Sequence, residues 1–267
     1  MPKNRNLLSH PAINISSRNN PQIGSNFIEL QSVDSTNNYA MALVHAGTAK
    51  HGTVYIAHEQ TAGKGQRGKT WISTPGDNIM MSAIIEPAFL LTSQQFFLSA
   101  AIAVSCRDFL SSIFSDDWRI KWPNDLYWRD RKAGGILIEN TFKGNKWPFA
   151  IVGIGINVNQ LQFPEHLQNA VSLIQISGRT FSTVDLAKQL CSEIEKKYAA
   201  LKEGKAEQII SEYNRVLYKR NEKVRLKRGN ITFETTIQEV TRHGQLVTND
   251  ATGRSFDFGD VEWLISE

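Results

Sequence analysis

The segment from Gly63 to Trp71 places three glycines and three cations within nine positions, directly after a predicted strand. Glycines allow backbone N–H groups to approach an anion, and Lys64, Arg67 and Lys69 can neutralise phosphoryl charge, so this composition is typical of a phosphate-binding loop. It is neither a Walker loop, since the spacing to Lys-Ser/Thr is missing, nor a dinucleotide fingerprint, since a β-rich segment follows. Taken alone, the pattern is explained better by a solvated basic turn.

Two other segments combine a lysine with a turn or with glycines. Residues 121–126, Lys-Trp-Pro-Asn-Asp-Leu, put a cation, an aromatic ring and an amide–carboxylate pair at the end of a predicted strand. An Asn-Asp turn beside a core tryptophan explains them equally well. Residues 132–139 set Lys132 before paired glycines and an apolar strand. That lysine could reach an anion held close to the backbone, or it could be a surface lysine beside a bulge.

Two polar segments could contact a small ligand. In residues 152–159, glycines alternate on one face of a predicted strand and Asn157 continues that face. A flat ring could lie there and bond to the amide, although close sheet packing would also call for glycine. Residues 34–37, Asp-Ser-Thr-Asn, could donate backbone N–H and hydroxyl groups to a ligand at a helix start, or could serve only as an N-cap.

Apolar periodicity predicts the elements that would position these residues. A short strand should precede a helix that starts at Asp34 or Ser35 and stops at Gly47. Further strands are predicted over residues 53–57, 79–85, 119–122, 135–139 and 149–158, and helices over 92–113, 186–198 and 209–217. We expect a mainly antiparallel sheet with the last two helices on one face. Beyond residue 221, short alternating runs separated by glycines predict a barrel of about five strands.

The composition limits the classes of protein. The 267 residues, 41% of them hydrophobic, can form one substantial core and a smaller accessory domain. A net charge of +4 without a dense basic block does not imply nucleic acid. The two cysteines, Cys106 and Cys191, lie in predicted helices, which gives no support to a disulfide framework or a zinc site. Without about 20 uninterrupted apolar residues or a signal peptide, we expect a soluble, cytoplasmic protein that binds no membrane.

Taken together and in this order, the motifs resemble the biotin protein ligase family. They are Ser-Thr-Asn at 35–37, the basic loop ending in Trp71, Lys-Trp-Pro-Asn-Asp at 121–125, Lys-x-Gly-Gly-Ile-Leu-x-Glu at 132–139 and Gly-Ile-Gly-x-Asn-x-Asn at 153–159. The resemblance implies an α+β fold, a mixed β-sheet with helices on one side as in class II aminoacyl-tRNA synthetases, plus a small C-terminal β-barrel. Residues 1–25 would form a flexible N-terminal segment, 26–220 the catalytic biotin- and ATP-binding domain, and 221–267 the barrel.

The resemblance also implies a two-step reaction. Biotin and Mg-ATP would give biotinyl-5′-adenylate, and a lysine on the biotin carboxyl carrier domain of a biotin-dependent carboxylase would then accept the biotin. ATP, biotin and Mg²⁺ are the implied cofactors, with no metal site of the protein's own, and the chain would be a monomer or a homodimer. A lipoate or octanoyl transferase is the nearest alternative, although the motifs at 121–125 and 132–139 favour biotin. A nucleotide-sensing or DNA-binding module is disfavoured because no dense basic patch occurs.

Site residues are implied by the matching motif positions. The biotin-binding residues would be Ser35, Thr36, Asn37, Gln60, Gly63, Lys64, Gly65, Gln66, Lys132 and Gly135. The ATP-binding residues would be Lys64, Arg67, Lys69, Trp71, Asn157 and Lys132. The catalytic residues would be Lys132, Arg67 and Asp125. Lys132 would bridge the biotin carboxylate and the α-phosphate, and Asp125 would organise the phosphates and magnesium or orient the incoming lysine.

Two departures from the family pattern carry predictions. Gln66 and Lys64 stand where the family usually has arginine, so bidentate phosphate contacts are partly absent and we expect the adenylate to be held less tightly. Only 34 residues precede Ser35, which is too short for the helix-turn-helix domain of bifunctional members. The sequence therefore predicts a monofunctional ligase that binds no DNA.

Overall fold

A computed structural model describes residues 21–249 and 253–264. Most of the segment predicted to be flexible, residues 1–25, lies outside the described residues. Its last part is packed against the protein. Ile23 is buried and its N–H donates to the Glu195 carboxylate at 2.8 Å, while the Gly24 N–H donates to the Gly52 carbonyl at 2.8 Å. Residues 21–25 therefore belong to the folded part of the chain.

The larger sheet has seven strands. Their bounds are β1 (Asn26–Val33), β2 (Thr53–Gln60), β3 (Asn78–Ile85), β4 (Trp118–Lys121), β5 (Asp125–Trp128), β6 (Arg131–Lys143) and β7 (Lys146–Asn157). The spatial order is β1-β2-β3-β7-β6-β5-β4. Only β1 and β2 pair in parallel and the other neighbours are antiparallel, which confirms the predicted mixed, mainly antiparallel sheet.

Helices lie on both faces of this sheet. They are α1 (Thr36–His45), α2 (Gln95–Ile113), α3 (Leu173–Ser177), α4 (Thr183–Lys202) and α5 (Ala206–Arg215). α2, α4 and α5 share the main core with the sheet face that carries Val54, Ala83 and Val152. α1 instead packs against Tyr55 and Ile84, which point to the opposite face because side chains alternate along a strand. The predicted placement of helices on one side is thus correct for α2, α4 and α5 and wrong for α1.

One helical segment passes a composition test for a membrane span. Thr92–Ile113, which comprises α2 and the turn before it, has a mean hydropathy of 1.4, and 67% of the apolar window is buried inside the protein. Its buried side chains face the sheet and α4. The apolar character of α2 is accounted for by its position at the centre of the core.

The C-terminal part of the chain forms a second, antiparallel sheet. Its strands are β8 (Lys223–Arg228), β9 (Ile231–Val240), β10 (Leu246–Asn249), β11 (Arg254–Phe256) and β12 (Glu262–Leu264), in the order β11-β10-β9-β8-β12. About five strands were predicted, and the described part of this segment contains five. Within the described residues the end strands β11 and β12 do not pair, so the closed barrel remains a prediction. Hydrogen bonds join this sheet to the rest: Trp122 Nε1 donates to the Gly244 carbonyl at 2.8 Å.

Candidate functional site

A cavity of about 880 Å³ lies on the α1 face of the larger sheet, with the C-terminal sheet at its rim. Every predicted site residue except Gly63 lines it. These residues are Ser35, Thr36, Asn37, Gln60, Lys64, Gly65, Gln66, Arg67, Lys69, Trp71, Asp125, Lys132, Gly135 and Asn157. Residues spread over 123 positions of the chain thus line one cavity.

One end of the cavity carries a set of hydrogen-bonded side chains at the start of α1. The Thr36 N–H and hydroxyl donate to Gln60 Oε1 at 2.8 and 3.1 Å. The Ser82 hydroxyl lies 2.7 Å from Thr36 Oγ1 and 2.6 Å from Asn37 Oδ1. Sequence reasoning missed Ser82, although its signal was available: it is a lone hydroxyl within the fully buried apolar strand β3.

The same hydrogen bonds continue to the basic loop. Asn37 Nδ2 donates to Glu139 at 2.7 Å, and the Lys64 ammonium pairs with the other oxygen of Glu139 at 2.6 Å. We name this continuous set the polar network; its members are Gln60, Thr36, Ser82, Asn37, Glu139 and Lys64. Through it, the cation of the glycine-rich loop is tied to the polar end of the cavity.

A lysine–carboxylate pair lies further along the sheet. The Lys132 ammonium is 2.7 Å from Asp125 Oδ1, with side-chain exposures of 38% and 24%, so solvent and ligands can reach both groups. A register shift between Leu126 and Tyr127 on β5 brings the two side chains together across β5 and β6. A Cβ on Gly135 would lie 3.4 Å from the Asp125 carboxylate, so the glycine leaves this pair open to the cavity.

The two glycines of β7 form the floor between these ends. A Cβ on Gly155 would lie 2.7 Å from the Trp71 ring, and one on Gly153 would overlap the Asn37 amide. The Trp71 ring occupies the space over Gly155, so close packing within the protein accounts for this glycine, and a ligand ring bonded to Asn157 stays a prediction. Asn157, which continues the same face, is 5% exposed and donates from Nδ2 to the Val171 carbonyl at 3.1 Å, so it also fixes the segment after β7.

The basic loop closes the cavity against the C-terminal sheet. Arg67 has a φ of 55° and donates from Nη1 to the Gly259 carbonyl at 2.9 Å, and its guanidinium lies 6.0 Å from the centre of the Phe258 ring. The sequence left the role of the C-terminal strands open. The structure brings Phe258, Gly259 and Trp263 to the rim of the cavity.

Lys121 is a cavity residue to which sequence reasoning gave no role. It ends β4, is 8% exposed, and its ammonium lies 3.2 Å from the Tyr127 hydroxyl. Burial lowers the pKa of Lys121 to about 8; the Asp125 carboxylate opposes that shift, whereas the charge of Lys132 adds to it. The motif at 121–125 contained this lysine, but burial cannot be read from a motif.

Within the described residues, no group of three or more His, Cys, Asp or Glu side chains is placed to hold a metal ion. Asp125 is the carboxylate that faces Lys132 in the cavity. Cys106 and Cys191 are buried free thiols in α2 and α4, and burial raises the pKa of Cys191 to about 12. Both thiols are therefore packing residues without a reactive thiolate.

The part of the chain that carries most of the cavity residues is similar to a known family. Residues 29–157, from β1 to the end of β7, match the Biotin/lipoate A/B protein ligase family. This region contains the polar network, the basic loop and the Lys132–Asp125 pair. This part of the chain is therefore similar to that ligase family.

The similar proteins are biotin ligases. The bifunctional ligase/repressor BirA of Bacillus spizizenii is 35% identical over 181 residues, which cover 66% of this chain and 54% of the relative. The biotin–[acetyl-CoA-carboxylase] ligase of Mycobacterium tuberculosis is 30% identical over 165 residues, or 60% of this chain and 59% of the relative. The biotin protein ligase of Aquifex aeolicus, solved with biotin and ATP, superposes with a TM-score of 0.77 at 25% identity, covering 90% of this chain and 99% of that one. The chain thus spans little more than half of the length of these two curated relatives.

Proposed function

We propose that the protein is an ATP-dependent biotin protein ligase, which forms biotinyl-5′-adenylate and transfers biotin to a lysine of a carrier protein. One observation carries the proposal. A single cavity holds a buried hydrogen-bonding pocket at one end, a lysine–carboxylate pair at the other and a glycine floor between them. Biotin has the matching form, with a ureido ring at one end and a carboxylate at the other.

The polar end of the cavity suits a ureido group. That group has one carbonyl acceptor and two N–H donors, and the hydroxyls and amides of Ser35, Thr36, Asn37 and Gln60 can supply both kinds of partner. All but Gln60 are at most 3% exposed, so their hydrogen bonds form away from water. A dithiolane ring offers no such partners and would gain no hydrogen bonds from these groups, which favours biotin over lipoate.

Lys132 is the proposed catalytic cation for adenylation. An oxygen of the biotin carboxylate bonds to the α-phosphorus of ATP, the bond from that phosphorus to the bridging oxygen breaks, and pyrophosphate leaves with the bonding electron pair. The Lys132 ammonium reduces repulsion between the carboxylate and the α-phosphate and stabilises charge as the bond forms. Asp125, 2.7 Å away, holds the ammonium in position.

Residues of the basic loop and β7 are the proposed nucleotide contacts. Arg67 and Lys69 supply charge for phosphates, while Trp71 and Asn157 border the space for adenine. Gly63, Gly65 and Gln66 keep the backbone of the loop close to the ligand; a Cβ on Gly63 would lie 2.5 Å from the Trp71 carbonyl. Mg²⁺ enters with ATP, and Asp125 is the carboxylate that could complete its coordination by phosphate oxygens.

The second step needs a carrier lysine at the same place. Its amine attacks the carbonyl carbon of the mixed anhydride, AMP leaves, and Asp125 is the proposed acceptor of the amine proton. The name of the Mycobacterium tuberculosis relative supports the carrier domain of a biotin-dependent carboxylase as the acceptor. We propose that residues 221–267 close into a barrel; Phe258, Gly259 and Trp263 of this segment lie at the rim of the cavity where that domain would dock.

Biotin-dependent exchange of pyrophosphate into ATP tests the proposal. We expect exchange with biotin, none with lipoate or without an acid, and a loss of about a hundredfold or more in Lys132→Ala. Lys146→Ala is the matched control, because this lysine is exposed at the start of β7 and outside the cavity. The ligase proposal fails if the wild-type protein shows no exchange with biotin.

A further inference from the structure

A short segment after β7 takes the place of a neighbouring strand beside Lys132. The pairing of β6 with β7 begins at Gly134, so Lys132 lies beyond the paired part of β7. There the Lys132 N–H donates to the Asn169 carbonyl at 2.7 Å, and the Val171 N–H donates to the Lys132 carbonyl at 2.9 Å. We name residues 169–171 the crossing segment.

The pairing of Lys132 on its other side is irregular. Two successive residues of β5, Leu126 and Tyr127, pair with Gly134 and Lys132. Ala133 is therefore left between them as a bulge. Because a bulge interrupts the hydrogen bonds between two strands, β5 holds the backbone of Lys132 less completely than a regular neighbour would. The main chain of Lys132 thus depends on the crossing segment for its position.

The Arg131 guanidinium fastens the crossing segment from outside the cavity. Its Nη2 donates to the Ala170 carbonyl at 2.5 Å. Ala170 lines the cavity and Arg131 does not. Within the described residues this guanidinium forms no ion pair with a carboxylate, so its charge serves the carbonyl of Ala170. A hydrogen bond from a charged donor is stronger than one between neutral groups.

A second side chain holds the other end of the crossing segment. Asn157 Nδ2 donates to the Val171 carbonyl at 3.1 Å, and Val171 itself is 1% exposed. Asn157 is one of the proposed nucleotide contacts. The crossing segment therefore lies between that contact and Lys132, fixed at Val171 by Asn157 and at Ala170 by Arg131.

The position of this backbone matters for a catalytic lysine. A lysine side chain is a flexible stem, so its ammonium is placed only as well as its backbone and its partner allow. Asp125 holds the Lys132 ammonium at 2.7 Å, and the crossing segment holds the main chain from which the side chain starts. Misplacing a catalytic group by about 1 Å can slow a reaction about a hundredfold.

We propose that Arg131 is a positioning residue for adenylation, which fixes the backbone of Lys132 by holding the crossing segment at Ala170. This rests on the proposed ligase function. When the carboxylate oxygen bonds to the α-phosphorus and pyrophosphate leaves with the electron pair, Arg131 touches none of the reacting atoms and exchanges no proton. Its effect on the rate is therefore exerted through Lys132.

Arg131→Met tests this assignment because it removes the donor and keeps an unbranched side chain. We expect kcat for biotin-dependent pyrophosphate exchange to fall about ten- to a hundredfold. The KM values for biotin and MgATP should change by less than about threefold, because the ureido and nucleotide contacts remain. The backbone N–H groups of Lys132 and Val171 should exchange with deuterium faster than in wild type.

Arg129→Met is the matched control. Arg129 belongs to the same turn, but its side chain is 66% exposed, pairs with Asp117 and lies outside the cavity. This variant should match wild type in kcat, in both KM values and in the amide exchange of Lys132 and Val171. Wild-type kcat in Arg131→Met, or wild-type amide exchange at these two residues, would overturn the proposal.

A double-mutant cycle with Lys132→Ala separates positioning from a general loss of structure. If Arg131 acts through Lys132, adding Arg131→Met to Lys132→Ala should not slow single-turnover formation of the adenylate any further. The same loss in both backgrounds would show that Arg131 acts independently of Lys132, and the proposal would be wrong.

Two remaining outcomes are also decisive. If Arg131→Met does not fold, Arg131→Gln keeps a polar side chain that ends short of the Ala170 carbonyl. It should lower kcat in the same way, and wild-type kcat would refute the assignment. If the wild-type protein shows no exchange, the ligase proposal fails by itself. Amide exchange at Lys132 and Val171 then still decides whether Arg131 fixes this backbone.

Discussion

Lys121→Met should make the protein more stable at neutral pH. The buried ammonium has its pKa lowered from the usual 10.5 to about 8, a difference that corresponds to about 3 kcal/mol of unfavourable free energy for the charged form in the folded protein. The lost cation–π contacts with Tyr127 and Trp263 offset roughly 1 kcal/mol of this. We therefore expect the free energy of unfolding to rise by about 2 kcal/mol in the variant.

The same reasoning fixes how this gain depends on pH. Below about pH 8 the lysine is protonated in both the folded and the unfolded chain, so the full cost is present in wild type. Between about 8 and 10.5 the unfolded chain binds more protons, and wild-type stability rises relative to the variant as the pH rises. The advantage of Lys121→Met should thus be largest at about pH 7 and small at about pH 10.

Urea unfolding of wild type and Lys121→Met at both pH values measures the two free energies, with m-values compared to confirm that both transitions are two-state. The difference between the proteins cancels the titration of all other groups that the substitution leaves unchanged. A variant less stable than wild type at neutral pH, or a gain that does not change with pH, would refute the view that Lys121 is a charge desolvated by burial.

Three further predictions concern the loop, the floor of the cavity and a buried histidine. Gln66→Arg should slow dissociation of biotinyl-5′-adenylate by about tenfold, because arginine adds bidentate phosphate contacts, and equal dissociation rates by stopped flow would contradict this. Gly153→Ala should weaken biotin binding by about tenfold or more in calorimetry, since its Cβ would overlap the Asn37 amide. Gly144→Ala is also strained, because Gly144 has a φ of 59°, but this turn lies outside the cavity and the affinity for biotin should stay unchanged. His51 is 5% exposed, and its Nδ1 accepts a hydrogen bond from the Glu86 N–H at 3.1 Å. Burial lowers the pKa of His51 below 6.5. The charge of Lys202 adds to this shift, whereas the charges of Glu86 and Glu195 oppose it. The unfolded chain therefore binds the proton more readily, so the free energy of unfolding should fall as the pH drops below 6.5. His51→Gln can still accept the hydrogen bond but does not titrate, so this variant should lose less stability on acidification when urea unfolding is measured.

Local patterns predicted most of the elements because their signals lie within a few residues. The segment from Asn78 to Ile85 is buried on both faces, and its short apolar run predicts a strand without any information from the rest of the chain. Gly47, with a φ of 70°, follows α1 as its position at the end of the apolar pattern predicted. β5 was missed because Pro123, Asn124 and Asp125 carry a strong turn signal directly before a strand of only four residues.

A site residue could be predicted from the sequence where a single local motif was enough to identify it. Lys132 and Asp125 were both expected there, and the structure pairs them. Ser82, Lys121 and Trp263 could not be assigned in this way, because their roles depend on contacts across strands or between the two sheets. The side of the sheet on which α1 packs is likewise set by β2 and β3, and not by the sequence of α1.

The polar network has a consequence for attempts to change ligand choice. A substitution at Ser82 that enlarges the polar end of the cavity removes a hydrogen-bond partner of Asn37, and one at Thr36 removes a partner of Ser82. Asn37 is joined through Glu139 to Lys64, so either change also reaches the basic loop. Pocket and loop substitutions should therefore be strongly epistatic, with coupling energies of about 0.5–3 kcal/mol in double-mutant cycles. Variants selected for a biotin analogue would need compensating changes in the basic loop, and libraries that vary both segments together are the ones in which such variants can be found.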